Sequence, residues 1–298
     1  MALISPEALG GCLLEATPIA LGDRAFEAAH VRAVDVRWYL GRPGDGRRAY
    51  EAGHIPGAIF LDVDADLVGP AGPGRHPLPR PSDFAARLSG AGIGDGDLVV
   101  AYDDVGGWVA ARLWWMLDDL GHRASAVLNG GIDGWIGAHL PLTTEEPRRP
   151  PAGMPPIRLH LADRWRRVID RDELRARLGR ISLLDARAGE RYRGETEPID
   201  PVPGHIPTAL SAPTAGNLGP DGRFLPASVL ADRFRSLGAD RRPVVTSCGS
   251  GVAACHNALA LRIAGLPDAI LYDGSYSDWS TAGYPIATGP EPGAPPDA

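Results

Sequence analysis

The sequence predicts an α/β protein made of two tandem domains, each a mainly parallel β-sheet with helices on both faces. Three observations predict it: the chain repeats itself, short apolar runs alternate with helical stretches, and a proline-rich connector divides the halves. The first half reads VRAVDVRWYL, AGHIPGAI, DLVVAYDD and LNGGIDGWIGAHLPL in order. The second reads ISLLDARAGERY, PGHIPTAL, RPVVTSCGSG and LYDGSYSDWSTAGYPI. Asp35 thereby aligns with Asp185, Gly53 with Gly204, Asp103 with Cys248 and Trp135 with Trp279. Four blocks in one order, each roughly 150 residues from its counterpart, are the signature of a duplication.

Within each half the elements follow from local pattern. Leu98 to Tyr102 and Val244 to Ser247 are short apolar runs bounded by turn residues, which reads as buried strands. After Cys248, residues Val252, Cys255, Leu259 and Ile263 fall on one face of a helix. That helix stops at Gly265, with Pro267 beyond as a breaker. Strand alternating with helix implies a mainly parallel sheet covered on both faces. In such sheets ligands bind beyond the carboxyl ends of the strands, which is where Cys248 falls. Five prolines between Pro147 and Pro156 make a stiff, extended connector. The expected organisation is a first domain over 1–146, a linker over 147–163, a second domain over 164–289, and a disordered Pro/Gly-rich tail over 290–298.

Composition sets the outer bounds. The 298 residues suffice for two domains with separate cores. A formal net charge of −7, with no basic run, speaks against a nucleic-acid partner. The longest apolar stretch is too short to span a bilayer, and the first residues lack the basic start of a signal peptide. The chain has 3 cysteines, an odd and sparse count that fits a reducing cytoplasm better than a disulfide framework. None has zinc-ligand spacing, so neither a metal nor a cofactor is expected.

The segment Cys248-Gly249-Ser250-Gly251-Val252-Ala253 carries the chemistry. Its two glycines let the backbone curl so that successive N–H groups point inward and form an anion-binding nest. The helix that follows adds the positive end of its dipole. A thiolate placed there is stabilised, and so is a persulfide or an oxyanion leaving group. A merely buried cysteine has no need of such a nest. Cysteine-dependent phosphatases share the loop but clamp phosphate with an arginine six positions on, where this chain has Ala254.

These motifs resemble the tandem-rhodanese sulfurtransferases. CGSGV is similar to the active loop of the 3-mercaptopyruvate sulfurtransferase branch, and it lacks the basic residues typical of the thiosulfate branch. GHIPGAI, GHIPTAL, the Trp114 to Met116 run and YDGSYSDW extend the resemblance over both halves. The resemblance implies that Cys248 takes sulfur from 3-mercaptopyruvate as a persulfide and passes it to cyanide, a thiol or a thioredoxin-like protein. Thiosulfate is the alternative donor, and a non-catalytic sulfur carrier the alternative of another class. Asp103, in place of a cysteine, makes the first half the inactive repeat.

The same resemblance implies the site residues. Arg191 binds the donor carboxylate, with Arg187 and Arg193 as nearby candidates, while Gly249, Gly251, Val252 and Ala253 line the donor. Where the family has a second substrate arginine this chain has Asp200, and where it has a threonine this chain has Ala253. Ser250, His76 and Asp64 form the expected proton relay, with Asp62 and Asp66 as alternative acids. Cys255 is expected to be structural, His54 and His205 to shape the GHIP bends, and Cys12 to be exposed near the chain end.

Overall fold

The computed structural model describes residues 2–147 and 157–296. It divides into two compact units. The first comprises Met1–Val68, Pro79–Arg166 and Pro220–Arg223, and the second Gly69–Leu78, Arg167–Gly219 and Phe224–Ala298. A short segment of each sequence half thus clusters with the other unit. Most of the proline-rich connector, 148–156, lies outside the described residues. Its described remainder belongs to the first unit, where Asp95 N–H donates to the Arg158 carbonyl at 3.0 Å and Ala162 N–H to Leu120 at 2.9 Å.

The first unit contains strands β1 (Leu3–Ile4), β2 (Ile19–Leu21), β3 (Arg24–Phe26), β4 (Val31–Asp35), β5 (Ile59–Phe60), β6 (Leu98–Tyr102) and β7 (Ser125–Leu128). Five form a parallel sheet in the order β1-β7-β6-β4-β5, and β2 with β3 makes a small antiparallel ribbon. The second unit contains β8 (Val168–Ile169), β9 (Ser182–Asp185), β10 (Leu210–Ser211), β11 (Val244–Ser247) and β12 (Ile270–Tyr272). They are all parallel, in the order β10-β9-β11-β12-β8. Read from the other edge, this is the topology of the first sheet. Helices surround both sheets, as the alternation of strand and helix predicts.

The duplication extends to individual contacts. Arg37 is held by Asp35 and donates to the Gly53 carbonyl at 2.8 Å; Arg187 is held by Asp185 and donates to Gly204 at 2.7 Å. Tyr50 stacks on His54 with ring centres 3.7 Å apart, and Tyr192 on His205 at 3.8 Å. The Trp135 and Trp279 indoles each donate to a proline carbonyl, Pro141 and Pro285, at 2.8 Å. Both GHIP histidines are fully buried against backbone carbonyls, as fits a bend rather than catalysis. In the segment read from sequence as a disordered tail, the Glu291 and Pro292 carbonyls are hydrogen-bond partners of His205 and Thr208.

Every residue of β6 and of β11 is buried, since the central strand of a parallel sheet has both faces covered. Adjacent strands β9 and β11 connect onward to opposite sides, β9 to β10 and β11 to β12, so the carboxyl end of β11 lies at a topological switch point. Cys248 is the next residue. No helix among the described residues is long and apolar enough to cross a membrane. Among them, no group of His, Cys, Asp and Glu side chains is placed to hold a metal ion.

Candidate active site

From β11 the chain turns through Cys248 to Ala253 and enters the helix Ala254–Ile263. The turn brings two N–H groups onto the Cys248 sulfur, from Gly251 at 3.2 Å and Ser250 at 3.4 Å. Gly251 has φ +81°, a left-handed conformation that glycine adopts without steric cost. The loop is pinned from the other side by the start of the helix Ser275–Thr281. Cys248 N–H donates to Ser275 Oγ at 3.1 Å, while Tyr276 and Ser277 N–H groups donate to the Cys248 and Gly249 carbonyls at 3.0 and 2.9 Å. Ser275 takes φ +52°, and its hydroxyl donates onward to the Tyr272 carbonyl at 2.9 Å. Its hydrogen bonds compensate for a backbone conformation rare outside glycine.

The first unit shows what the same loop does without a cysteine. The Asp103 carboxylate accepts four N–H groups, from Val105, Gly107, Val109 and Ala110, at 2.8–3.0 Å. It is completely buried; burial raises its carboxyl above the usual range, and the four donors only partly offset that. The nest there is filled by its own side chain, whereas at Cys248 the donors close on a single nucleophilic atom.

Segment Gly69–Leu78 delivers two further side chains to the second unit. Its approach is close: a β-carbon on Gly74 would lie 2.4 Å from the Gly274 carbonyl oxygen. Leu78 N–H donates to Asp273 at 2.8 Å and Arg75 N–H to Ser277 Oγ at 3.1 Å. The segment thereby holds His76 with Nδ1 2.6 Å from Ser250 Oγ, both residues buried. Beside them runs a chain of alternating charges. Arg187 and Arg191 both donate to Glu197, and Arg191 also reaches Asp200 at 3.1 Å. Asp200 is paired in turn with Arg75. Burial pushes the Glu197 carboxyl up, but its hydrogen bonds to Arg191 and to the Asp200 and Ile199 N–H groups outweigh this and hold it below the usual glutamate range.

The second unit therefore gathers Cys248, Gly249, Ser250, Gly251, Val252, Ala253, His76 and Arg191, all singled out in the sequence. Asp64 lies in the first unit, where it accepts from the Trp38 indole at 2.9 Å. Asp62 caps the short helix Val63–Asp66 through the Asp64 and Ala65 N–H groups, and Asp66 accepts from the Asp62 N–H. Arg187 is locked between Asp185, Glu197 and the Tyr276 ring, and Arg193 pairs with Glu195 at the surface. Cys255 is buried and donates to the Gly251 carbonyl at 3.4 Å, a structural part of the loop's base. Cys12 corrects the sequence expectation: proximity to the terminus suggested exposure, yet it points into the first core with no accessible surface. Burial pushes its thiol up. Arg75, Ser275 and Ser277 were not legible as site residues, because each acts through a contact that no local motif encodes.

A rhodanese-like domain matches residues 20–138 and again 170–282. The chain belongs to the rhodanese family. Among its rhodanese relatives is a probable 3-mercaptopyruvate sulfurtransferase of Pseudomonas aeruginosa, 46% identical over 269 residues, covering 86% of this chain and 92% of that protein. The human 3-mercaptopyruvate sulfurtransferase is 36% identical over 288 residues, covering 93% and 94%. Among solved structures, the 3-mercaptopyruvate sulfurtransferase from Leishmania major superposes with a TM-score of 0.78 at 29% identity, covering 94% of this chain and 74% of that one.

Proposed function

We propose that this protein is a sulfurtransferase that moves sulfur from 3-mercaptopyruvate to a thiophilic acceptor through a persulfide on Cys248. The observation that carries the proposal is the pairing of a two-donor cradle on the Cys248 sulfur with a Ser250–His76 contact immediately beside it. The names of the relatives support the same donor.

The reaction follows from these positions. The Cys248 thiolate attacks the donor sulfur, forming a sulfur–sulfur bond. The donor's carbon–sulfur bond breaks, and its electron pair stays on carbon as the enolate of pyruvate. A proton delivered through Ser250 from His76 converts the enolate to pyruvate. Cyanide or a thiol then attacks the outer sulfur, and the Cys248 thiolate leaves into the same N–H cradle. Two steps replace one, which predicts ping-pong kinetics. Gly249, Gly251, Val252 and Ala253 shape the donor site, and Arg191 binds the carboxylate. Asp64 is retained as the acid of the relay on the family resemblance alone. A thioredoxin-like acceptor and a reducing cytoplasmic setting belong to the same proposal, the first on the family resemblance and the second on the odd, sparse cysteine count.

The test is cyanide-dependent thiocyanate formation with mercaptopyruvate and thiosulfate in parallel, on the wild type and Cys248→Ser. Turnover of mercaptopyruvate by the wild type alone is expected. Preference for thiosulfate would overturn the donor assignment. Absence of turnover with either donor would overturn the enzyme reading in favour of a sulfur carrier.

A further inference from the structure

We propose that Arg75 and Asp200 determine which donor the site accepts: Arg75 supplies a second guanidinium for the donor carboxylate, and Asp200 limits the positive charge so that a monoanion is preferred to a dianion. The inference rests on the sulfurtransferase reading and names the residues that set its donor selectivity.

Geometry places both arginines at the nucleophile. A β-carbon on Gly249, the residue after Cys248, would lie 2.9 Å from Arg75 Nη2 and 3.7 and 3.8 Å from the two terminal nitrogens of Arg191. The space over Gly249 is therefore bordered by two guanidinium groups. In mercaptopyruvate the carboxylate is separated from the reacting sulfur by two carbons, so a donor with its sulfur at Cys248 has its carboxylate nearby. Two guanidiniums on one carboxylate give the oriented, charge-assisted recognition for which arginine is suited.

Arg75 is held in place yet incompletely paired. Its backbone N–H is fixed on Ser277 Oγ at 3.1 Å, and its Nη1 is paired with Asp200. Its Nε is buried and has no hydrogen-bond partner among the described residues. The next residue in the chain is His76, with its ring on Ser250. One short segment thus supplies adjacent groups for binding the donor and for moving its proton.

Asp200 is the spacer between the arginines. Its side chain is 1% exposed and accepts from both Arg75 and Arg191. Its N–H donates to Glu197 at 3.0 Å, and Glu197 also accepts from Arg191. Arg75 and Arg191 are paired with Asp200, Arg191 also with Glu197, and Arg187 with Asp185 and Glu197. These side chains sum to zero formal charge, and the Cys248 thiolate adds one negative charge before a donor arrives. Mercaptopyruvate brings one carboxylate charge, whereas thiosulfate brings two, and the second meets Asp200 without a compensating cation.

The experiment measures steady-state kinetics for both donors, at fixed cyanide, on wild type, Arg75→Gln, Arg75→Lys and Asp200→Asn, with a thermal melt of each. Arg75→Gln is expected to raise KM for mercaptopyruvate about tenfold with kcat less affected, and Arg75→Lys to recover part of it. Asp200→Asn is expected to lower KM for thiosulfate and to move the ratio of kcat/KM values about tenfold toward thiosulfate. A purely structural role would change both donors together along with the melting temperature, and would leave that ratio in place. An unchanged ratio in Asp200→Asn, or an unchanged mercaptopyruvate KM in Arg75→Gln, would overturn the inference while an active wild type left the sulfurtransferase reading intact. A wild type inactive with mercaptopyruvate would overturn the reading itself.

Discussion

Ser250 and His76 illustrate how a role can be tested one residue at a time. Breaking the carbon–sulfur bond of mercaptopyruvate leaves a carbanion that needs a proton, whereas thiosulfate leaves as sulfite and needs none. Ser250→Ala and His76→Ala are therefore expected to lower kcat with mercaptopyruvate about 100-fold while largely sparing thiosulfate. The thiocyanate assay with both donors measures this, and an equal loss on both would assign the pair to holding the loop. At this scale the sequence was legible where a motif is local. Cys248 could be marked because two glycines and the repeat frame it, and Ser250 and Arg191 through the family resemblance of the motifs that hold them. Arg75 could not, since its partner Asp200 lies 125 residues away and reads, in isolation, as a lost arginine. Ser275 was hidden for another reason: its hydroxyl matters only because a left-handed backbone turns it onto the Cys248 N–H.

The paired loops after β6 and β11 show one element serving two purposes. Gly251→Ala would force a side chain into φ +81°, at a cost of about 1–2 kcal/mol, and would disturb the N–H nearest the sulfur. Its melting temperature is expected to fall and its turnover to fall further than folding alone explains. Asp103→Ala would strand buried N–H groups that now share one carboxylate. It is expected to destabilise by at least about 2 kcal/mol in denaturant unfolding, with the folded fraction still carrying sulfur on Cys248. Both strands, Leu98–Tyr102 and Val244–Ser247, agree residue for residue with the sequence reading, because a run buried on both faces needs no periodicity to betray it. The helix after Cys248 was also legible, with Gly265 at φ +69° just past its end, although it starts at Ala254 and leaves Val252, read as its first face residue, in the preceding turn. What the strand pattern did not reveal is that Gly69–Leu78, a proline- and glycine-rich stretch without apolar rhythm, clusters with the second unit.

Over the whole molecule the duplication was plain in the sequence and recurs in matched sheets, matched Asp–Arg pairs and matched Tyr–His stacks. Stability against acid belongs to this scale, and Glu197 gives its sign. Its folded carboxyl lies below the ordinary value of 4.5, so the unfolded chain binds that proton more tightly. The stabilisation is complete above the ordinary value and is lost as pH falls through the lower folded one. Thermal melts are expected to show wild type losing stability on acidification below pH 4.5, with a shallower decline for Glu197→Gln. The duplication also predicts stoichiometry, since one loop ends on a thiol and the other is filled by Asp103, while Cys12 and Cys255 have no accessible surface and sit in the first core and at the base of the loop. The most direct measurement is therefore the intact mass of the protein after exposure to mercaptopyruvate without acceptor, then again after cyanide. The account predicts a gain of one sulfur atom per chain, located on Cys248 by peptide mapping, discharged by cyanide and absent from Cys248→Ser. Sulfur that persists in Cys248→Ser, or turnover without any sulfur-loaded protein, would contradict it.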